Sequence, residues 1–386
     1  MKKYICLVLS IIMLLTITGC QPSDTQIMQE SEPIIQDTSD DKAIVSNNIK
    51  EPEQESESSQ TSLPENSKFE VHFMDVGQAD SALILCDDKA MLIDGGNASD
   101  SSLIYTYLKN HNVSQIDYLI CSHPHEDHIG GLSAALSNFD VNAVYAPSVK
   151  PDSSVYNSFI QKVSQKGLTI QEPACGNGFK LGSSDVVFYG PVYATNDLNN
   201  NSIVLKITYG KTSFLFTGDA EREEEQDILS KDYDLSATVL KVGHHGSANS
   251  TTYPFLIEIM PKYAVISVGK NNSYNHPSED ALSRLRDADV KVYRTDMQGD
   301  IIAVSDGENV SFSTKKNTNV ETNTTAVPSE FETESSSSSY IGNRNTKKFH
   351  LPSCRSLPAE HNRVYFTSRA EAISNNYSPC GNCIGK

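Results

Sequence analysis

Three histidines, a glutamate and an aspartate crowd into His123-Pro124-His125-Glu126-Asp127-His128, and Gly130 and Gly131 follow. Neutral imidazole and carboxylate are the donors that hydrolytic metal centres use, with one position left open to water. Neighbouring side chains in a turn point to opposite sides. One pair of donors in this loop can therefore serve one ion and the other pair a second. A hydrogen-bonded polar loop rarely gathers three histidines in six positions. No Ser-His-Asp arrangement competes with a metal, and neither the GGN at 95–97 nor GHHGS carries the lysine and order of a phosphate-cradling P-loop.

Short apolar, β-branched runs must carry this loop. FEVHFMDV, SALILC and KAMLIDGG read as strands, and IDYLICS is a buried strand that delivers the chain to His123. SSLIYTYLKNH spaces Leu103, Ile104, Tyr107 and Leu108 as a helix does, and GGLSAALSNF reads as a helix before the strand VNAVYAP. Further strands are expected at SIVLKITY, TSFLFTG, ATVLKVG, YAVISVG, VKVYRT and DIIAVS, with helices at REEEQDILS, PFLIEIM and SEDALSRLRD. Strands outnumber helices in a mixed order, which predicts an α/β fold of two packed sheets with helices outside.

The blocks FMDVGQADSALI, MLIDGG, HPHEDHIGG, NNNSIVLKI, FLFTGDA, LKVGHHGS, ISVGKNNSYNHPS and VYRTDMQGDI follow one another in this order. Together they resemble the soluble hydrolase domain of ComEC-type competence proteins, within the αββα metallo-β-lactamase fold. The resemblance implies that His123 and His125 hold one metal and that Asp127 and His128 hold another. Asp219, at the end of FLFTGD, would bridge them. Gly218 lets the chain turn there, although an aspartate at this point would also cap the REEEQ helix. One histidine of Val242-Gly243-His244-His245 would complete the coordination of the second metal. The spacing leaves that choice open; His245 is assigned as ligand, and His244 as the group that faces substrate or supports a ligand. Many metallo-β-lactamase enzymes carry a further histidine where this chain has Asn199-Asn200-Asn201-Ser202. Water or an amide oxygen would then complete the coordination of the His123/His125 metal, and manganese tolerates such oxygen-rich surroundings better than zinc does.

Two such cations lower the pKa of a shared water and neutralise charge on the attacked group. Asp127 would accept a hydrogen bond from that water while ligating, and His276 would donate a proton to the leaving group or bind a phosphate. Asp75, Gln78, Asp80 and Asp94 read as residues that shape the loops beneath the metals.

Around this core, residues 68–314, the composition changes sharply. MKKYICLVLSIIMLLTITGC, residues 1–20, resembles a bacterial lipoprotein signal, with Cys20 the lipidated mature N-terminus. Residues 21–67 hold eleven Asp and Glu against Lys42 and Lys50 and no aromatic residue, so they read as a disordered acidic tether. That tether carries −9 of the chain's −18, which predicts that overall acidity says little about the catalytic part. Residues 315–339 read as a second disordered linker ending in five serines.

Residues 340–386 turn basic, with seven Lys and Arg against Glu360 and Glu371. His350-x3-Cys354 and Cys380-x2-Cys383 supply four donors for a structural zinc, which such a short segment needs in order to fold. A Cys354–Cys380 disulfide is the rival reading. The segment resembles the metal-binding domain of Ada-type repair proteins, with His350 where that type has cysteine. Its charge and aromatics suit contact with nucleic acid.

These expectations describe a lipid-anchored hydrolase on the outer face of the cell membrane of a Gram-positive cell, acting on phosphodiesters with DNA as the leading substrate. The alternatives are a phosphoesterase for a wall-linked ester such as phosphorylcholine, or a non-catalytic protein that binds nucleic acid or wall.

Overall fold

Phe69, Val71 and Phe73 alternate along strand Phe69–Phe73 and are buried on one face. In the computed structural model, which describes residues 63–323 and 340–384 apart from 353, 355, 368 and 382, this strand lies antiparallel between Ile301–Ser305 and Ala82–Cys86. The expected signal sequence, the lipid site Cys20, most of the tether and residues 324–339 of the linker fall outside the described residues.

The first sheet has eight strands, in the order Val310–Thr314, Ile301–Ser305, Phe69–Phe73, Ala82–Cys86, Lys89–Ile93, Gln115–Ile120, Asp140–Tyr145 and Ile170–Gln171. The second has seven, in the order Lys291–Arg294, Tyr263–Ile266, Val239–Lys241, Thr212–Phe216, Val204–Tyr209, Ser184–Gly190 and Gly178–Leu181. Phe69, Val71, Ile84 and Met91 of the first sheet meet Leu205, Ile207, Phe214 and Val239 of the second in one apolar layer. Helices Ser101–Asn110, Leu132–Asn138 and Ser154–Gln165 cover the first sheet's outer face. Arg222–Leu229, Tyr253–Ile259 and Glu279–Asp287 cover the second's. The result is the αββα layering expected from the sequence.

Strand direction positions the site. Lys89–Ile93 and Gln115–Ile120 run parallel, as do Thr212–Phe216, Val239–Lys241 and Tyr263–Ile266. Parallel neighbours end on the same side, so the loops after Ile93 and Ile120 gather together, as do those after Phe216, Lys241 and Ile266.

The boundaries differ from those expected. Leu63 packs on the inter-sheet core, and Thr322 is buried with its hydroxyl donating to the Val292 carbonyl. Arg286 also holds the carbonyl of Asn323. The folded body therefore extends over 63–323, and the start of the expected linker belongs to it.

Residues 340–384 form a four-stranded sheet, in the order Arg363–Phe366, Tyr340–Asn343, Lys348–His350 and Ser378–Pro379, with helix Arg369–Ser374. Its apolar cluster of Tyr340, Phe349, Phe366, Ala372, Tyr377 and Ile384 includes Tyr253 from the body. The Tyr253 hydroxyl bonds Asp287 and lies 2.7 Å from the Tyr340 hydroxyl, and Arg369 sits 4.5 Å over the Tyr253 ring. Among the described residues no helix is long and apolar enough to cross a membrane.

Candidate metal centre

Close packing of backbone fixes the HPHEDH loop. A Cβ at Gly131 would meet the Gly95 carbonyl oxygen at 2.1 Å, so glycine there lets the loop lie against the end of strand Lys89–Ile93. Glu126–Ile129 forms a short helix, which leaves Asp127 half-buried and His128 fully buried. Across the gap, Gly218 has φ +50° and turns the chain after Phe216 into Asp219, whose amide donates to Ser202 Oγ at 2.9 Å. His244 and His245 both have left-handed backbone, at φ 49° and 52°. Two such non-glycine residues in a row mark strain held at a functional turn.

The donors converge. His123 Nε2 lies 2.9 Å from His125 Nδ1 and 3.8 Å from Asp219 Oδ2. His245 Nε2 lies 3.3 Å from Asp127 Oδ2 and 3.7 Å from Asp219 Oδ2. His128 Nε2 and Asp219 Oδ1 are 3.3 Å apart, yet both are buried without a hydrogen-bond partner. His123, His128 and Asp219 form one set of donors within 4.8 Å of one another, and Asp127, His128 and His245 form another.

Charge makes the same demand for a cation. Asp80, Asp94, Asp127 and Asp219 meet here with Lys241 as the permanent cation among them. Burial works against ionising Asp219, but His128 and His245 outweigh it and hold its pKa well below the carboxylate range. Asp127 falls to about 2, with burial opposing and His128 and His245 lowering it. Burial disfavours charge on His245, yet Asp219 and Asp80 raise its pKa to about 10. Protons on imidazole thus balance carboxylates that two divalent cations would balance instead. Orphaned buried donors, excess carboxylate and mixed N/O chemistry fit metal.

Several neighbours orient the donors. Asp94 accepts from the Ser122 amide and hydroxyl, each at 2.7 Å, and lies 2.9 Å from His128 Nδ1. The Ser267 carbonyl at 3.0 Å and Asp80 Oδ1 at 3.5 Å face His245 Nδ1, which leaves Nε2 toward the centre. Asp75 instead pairs with Lys316, and its amide donates to Asp300. Gln78 lines the cleft and accepts from the Gly269 amide.

His244 is 22% exposed and faces the cleft, with Nε2 3.7 Å from Asp219 and Nδ1 3.1 Å from Glu221. The His276 ring stands 5.5 Å from the His244 ring, and burial together with His244 and His245 lowers its pKa to about 4. The asparagine run divides its work. Asn201 bonds the backbone of Thr195 and Asp197, and Asn200 accepts from the amides of Glu221 and Glu224. Asn199 lines the cleft with Oδ1 buried and unpartnered.

Lys241, Glu221 and Tyr274 also belong to this neighbourhood and were not expected there. Lys241 lies within LKVGHHGS, Tyr274 within ISVGKNNSYNHPS and Glu221 directly after FLFTGDA, the one local signal that could have flagged them. The cleft measures about 560 Å³ and is lined by His125, Asp127, Asp219, His244, His245, Tyr274 and His276 among others.

In the small C-terminal sheet, His350, Cys354, Cys380 and Cys383 bring one donor atom each within 4.8 Å of the rest. The three cysteines are free thiols in this structure. The end of strand Lys348–His350 and the turns that follow it and strand Ser378–Pro379 thus bring together one nitrogen and three sulfurs, a donor set suited to zinc. His361 is exposed and stands apart.

The profile of the metallo-β-lactamase superfamily matches residues 74–270, half of the chain. The chain belongs to the metallo-β-lactamase superfamily. The metal-binding domain of Ada matches residues 330–384. This metallo-β-lactamase chain is similar to ComE operon protein 3 of Bacillus subtilis (strain 168), 33% identical over 259 residues, which cover 61% of this chain and 33% of that protein. Competence protein ComA of Neisseria gonorrhoeae is 31% identical over 240 residues, 61% of this chain and 32% of that one. The chain spans about a third of the length of these curated relatives. Among solved structures, the metallo-beta-lactamase fold protein YhfI of Bacillus subtilis aligns with a TM-score of 0.41 and 14% identity, over 64% of this chain and 100% of that one.

Proposed function

We propose that this chain is a metal-dependent phosphodiesterase acting on DNA outside the cell membrane, to which Cys20 anchors it. The observation that carries the reading is the pair of facing, unpartnered donors His128 Nε2 and Asp219 Oδ1 at the floor of an open cleft. His123, His125 and Asp219 would hold one divalent ion, and Asp127, His128, Asp219 and His245 a second, zinc or manganese. Such ions supply Lewis acidity and lower the pKa of water. Asp127, half-buried at the cleft, is placed to take a hydrogen bond from the attacking water. His244, beside Glu221 and facing the cleft, would contact the substrate, and His276 behind it, a neutral imidazole, would bind a phosphate oxygen through its N–H.

The body is itself acidic, with 18 Lys and Arg against 32 Asp and Glu over residues 68–314, contrary to the expectation that the tether explains the chain's charge. Attraction for a polyanion must then come from the metals and from the basic module. There Arg344, Lys347 and Lys348 are exposed on one hairpin and Tyr365 is 54% exposed on an adjoining strand. One structural zinc on His350, Cys354, Cys380 and Cys383 would hold that module together. The acidic body also favours a second reading, a phosphoester with a cationic head such as phosphorylcholine.

Purified full-length chain loaded with manganese or zinc is expected to cleave bis-p-nitrophenyl phosphate and DNA, and Asp219→Asn is expected to abolish both. Cleavage of neither ends the phosphodiesterase reading, and turnover of p-nitrophenylphosphorylcholine alone selects the second. Cys20→Ala is expected to release the chain from membranes; retention there removes the anchor.

A further inference from the structure

The loop between strand Tyr263–Ile266 and helix Glu279–Asp287 ends on His276 and carries one large side chain that the metal chemistry does not use. Tyr274 is 67% exposed, lines the cleft, and makes no hydrogen bond through its hydroxyl among the described residues. Its ring stacks on His276 with centroids 5.8 Å apart and planes at 28°. His276 thus packs against one side of the ring in an offset arrangement and leaves the rest of it open.

The loop is built to hold it there. Asn272 Oδ1 accepts from the amides of Tyr274 and His276, and Asn272 Nδ2 donates to the carbonyls of Gly269 and His276. Gln78 ties the loop's start to the other sheet through the Gly269 amide, 3.0 Å away. Asn271 and Asn275 take left-handed backbone, at φ 55° and 58°, where asparagine is tolerated better than most residues. A bulky ring fixed in water by its loop loses little entropy when a flat partner lies on it.

Resting on the phosphodiesterase reading, we propose that Tyr274 is the stacking platform for the nucleobase beside the scissile phosphate, which makes a nucleotide the substrate class of this cleft. A single open aromatic face suits a planar ring. A quaternary ammonium group is held by a cage of several aromatics, and Tyr274 is the one phenolic ring among the described residues lining the cleft. Stacking is indifferent to base identity, so the platform predicts broad sequence tolerance. Lys270, exposed on the same loop, forms no ion pair among the described residues and is available to a flanking phosphate.

The chain contains no tryptophan, so Tyr274→Trp installs a single fluorophore at the platform. In the zinc-loaded full chain, stopped-flow mixing with oligothymidylate is expected to quench it, whereas an abasic chain of equal length leaves it bright. In parallel, Tyr274→Ala is expected to lower kcat/KM for thymidine 5′-(p-nitrophenyl) phosphate roughly 5- to 100-fold more than for methyl p-nitrophenyl phosphate, the range of a base–aromatic stack. Tyr274→Phe should keep the wild-type ratio. Equal quenching by both chains, no quenching, quenching by phosphorylcholine alone, or equal losses on the two esters overturns the assignment. If wild type hydrolyses neither ester, the phosphodiester reading itself falls, and this inference with it.

Discussion

Lys241 Nζ lies 2.7 Å from Asp80 Oδ2, and the two side chains are 5% and 7% exposed. Lys241 ends a strand of the second sheet and Asp80 lies in the loop that enters strand Ala82–Cys86 of the first, 161 residues away in sequence, and Asp80 Oδ1 faces His245 Nδ1 on the side away from the centre. Lys241 neutralises a carboxylate that would otherwise sit uncompensated beside the candidate metal donors.

Lys241→Met should therefore destabilise the metal-free protein by about 3–5 kcal/mol, the usual cost of orphaning one member of a buried pair. Divalent cations nearby replace part of the missing charge, so the loss should shrink on metal loading. Adding Asp80→Asn should restore much of the stability. Denaturant midpoints of the single and double variants, with and without metal, measure this; additive losses would show that the two residues do not act as a pair.

Asp94 governs His128 in a similar way, through Nδ1 at 2.9 Å. With that nitrogen engaged, Nε2 is directed at Asp219. Asp94→Asn should weaken metal affinity by about 10- to 100-fold, the usual effect of losing such an orienting carboxylate. Competition with a chromophoric chelator reads the change directly, without reference to turnover.

The candidate donors were legible because they are local. HPHEDH packs four donors into one turn, and Asp219, His244 and His245 follow apolar strands and lie beside glycines. What remained hidden depends on distance along the chain. Nothing near Lys241 points to Asp80, and nothing near Leu63 or Thr322 says that each closes a core built elsewhere. Helix Ser154–Gln165 goes beyond the expected elements, although Ser153 caps it and Tyr156, Phe159, Ile160 and Val163 repeat at helical spacing. Most strands of the two sheets were readable, but Ile170–Gln171, Gly178–Leu181, Ser184–Gly190 and Val310–Thr314 were not among the expected elements, and the side to which each pair of parallel strands delivers its loops is a property of pairing, not of pattern.

Glu224 gives the stability a pH dependence apart from the metals. It is 1% exposed, Oε1 accepts from the Val192 amide at 2.9 Å, and Oε2 has no partner. Burial raises its pKa to about 8, from an ordinary 4.5. Between those values the unfolded chain releases a proton that the folded chain keeps, so stability falls as pH rises from about 4.5 to 8. Glu225, raised by burial to about 7, acts in the same direction. Glu224→Gln should melt like wild type at pH 5 and more stably by about 1–3 kcal/mol at pH 8.5. Calorimetry at the two pH values, under identical metal loading, checks the crossover.

Tyr253 ties the C-terminal module to the body more closely than a linker implies. Its ring belongs to the apolar cluster of residues 340–384, and its hydroxyl meets Asp287 and Tyr340. A segment this short cannot bury enough apolar surface alone, so it draws on both a metal and a neighbour's side chain. Tyr253→Phe keeps the ring and should cost the module about 1 kcal/mol, while Tyr253→Ala opens the shared cluster and should cost about 3–5 kcal/mol. Hydrogen exchange resolves the effect by region. In Tyr253→Ala the amides of Tyr340–Asn343 and Lys348–His350 should lose protection while Phe69–Phe73 keeps its own. A zinc chelator should act on the same amides, and the two treatments together should remove protection from the module altogether. If the module's exchange ignores Tyr253→Ala, the metal alone holds it, and the contact with the body is incidental to its fold.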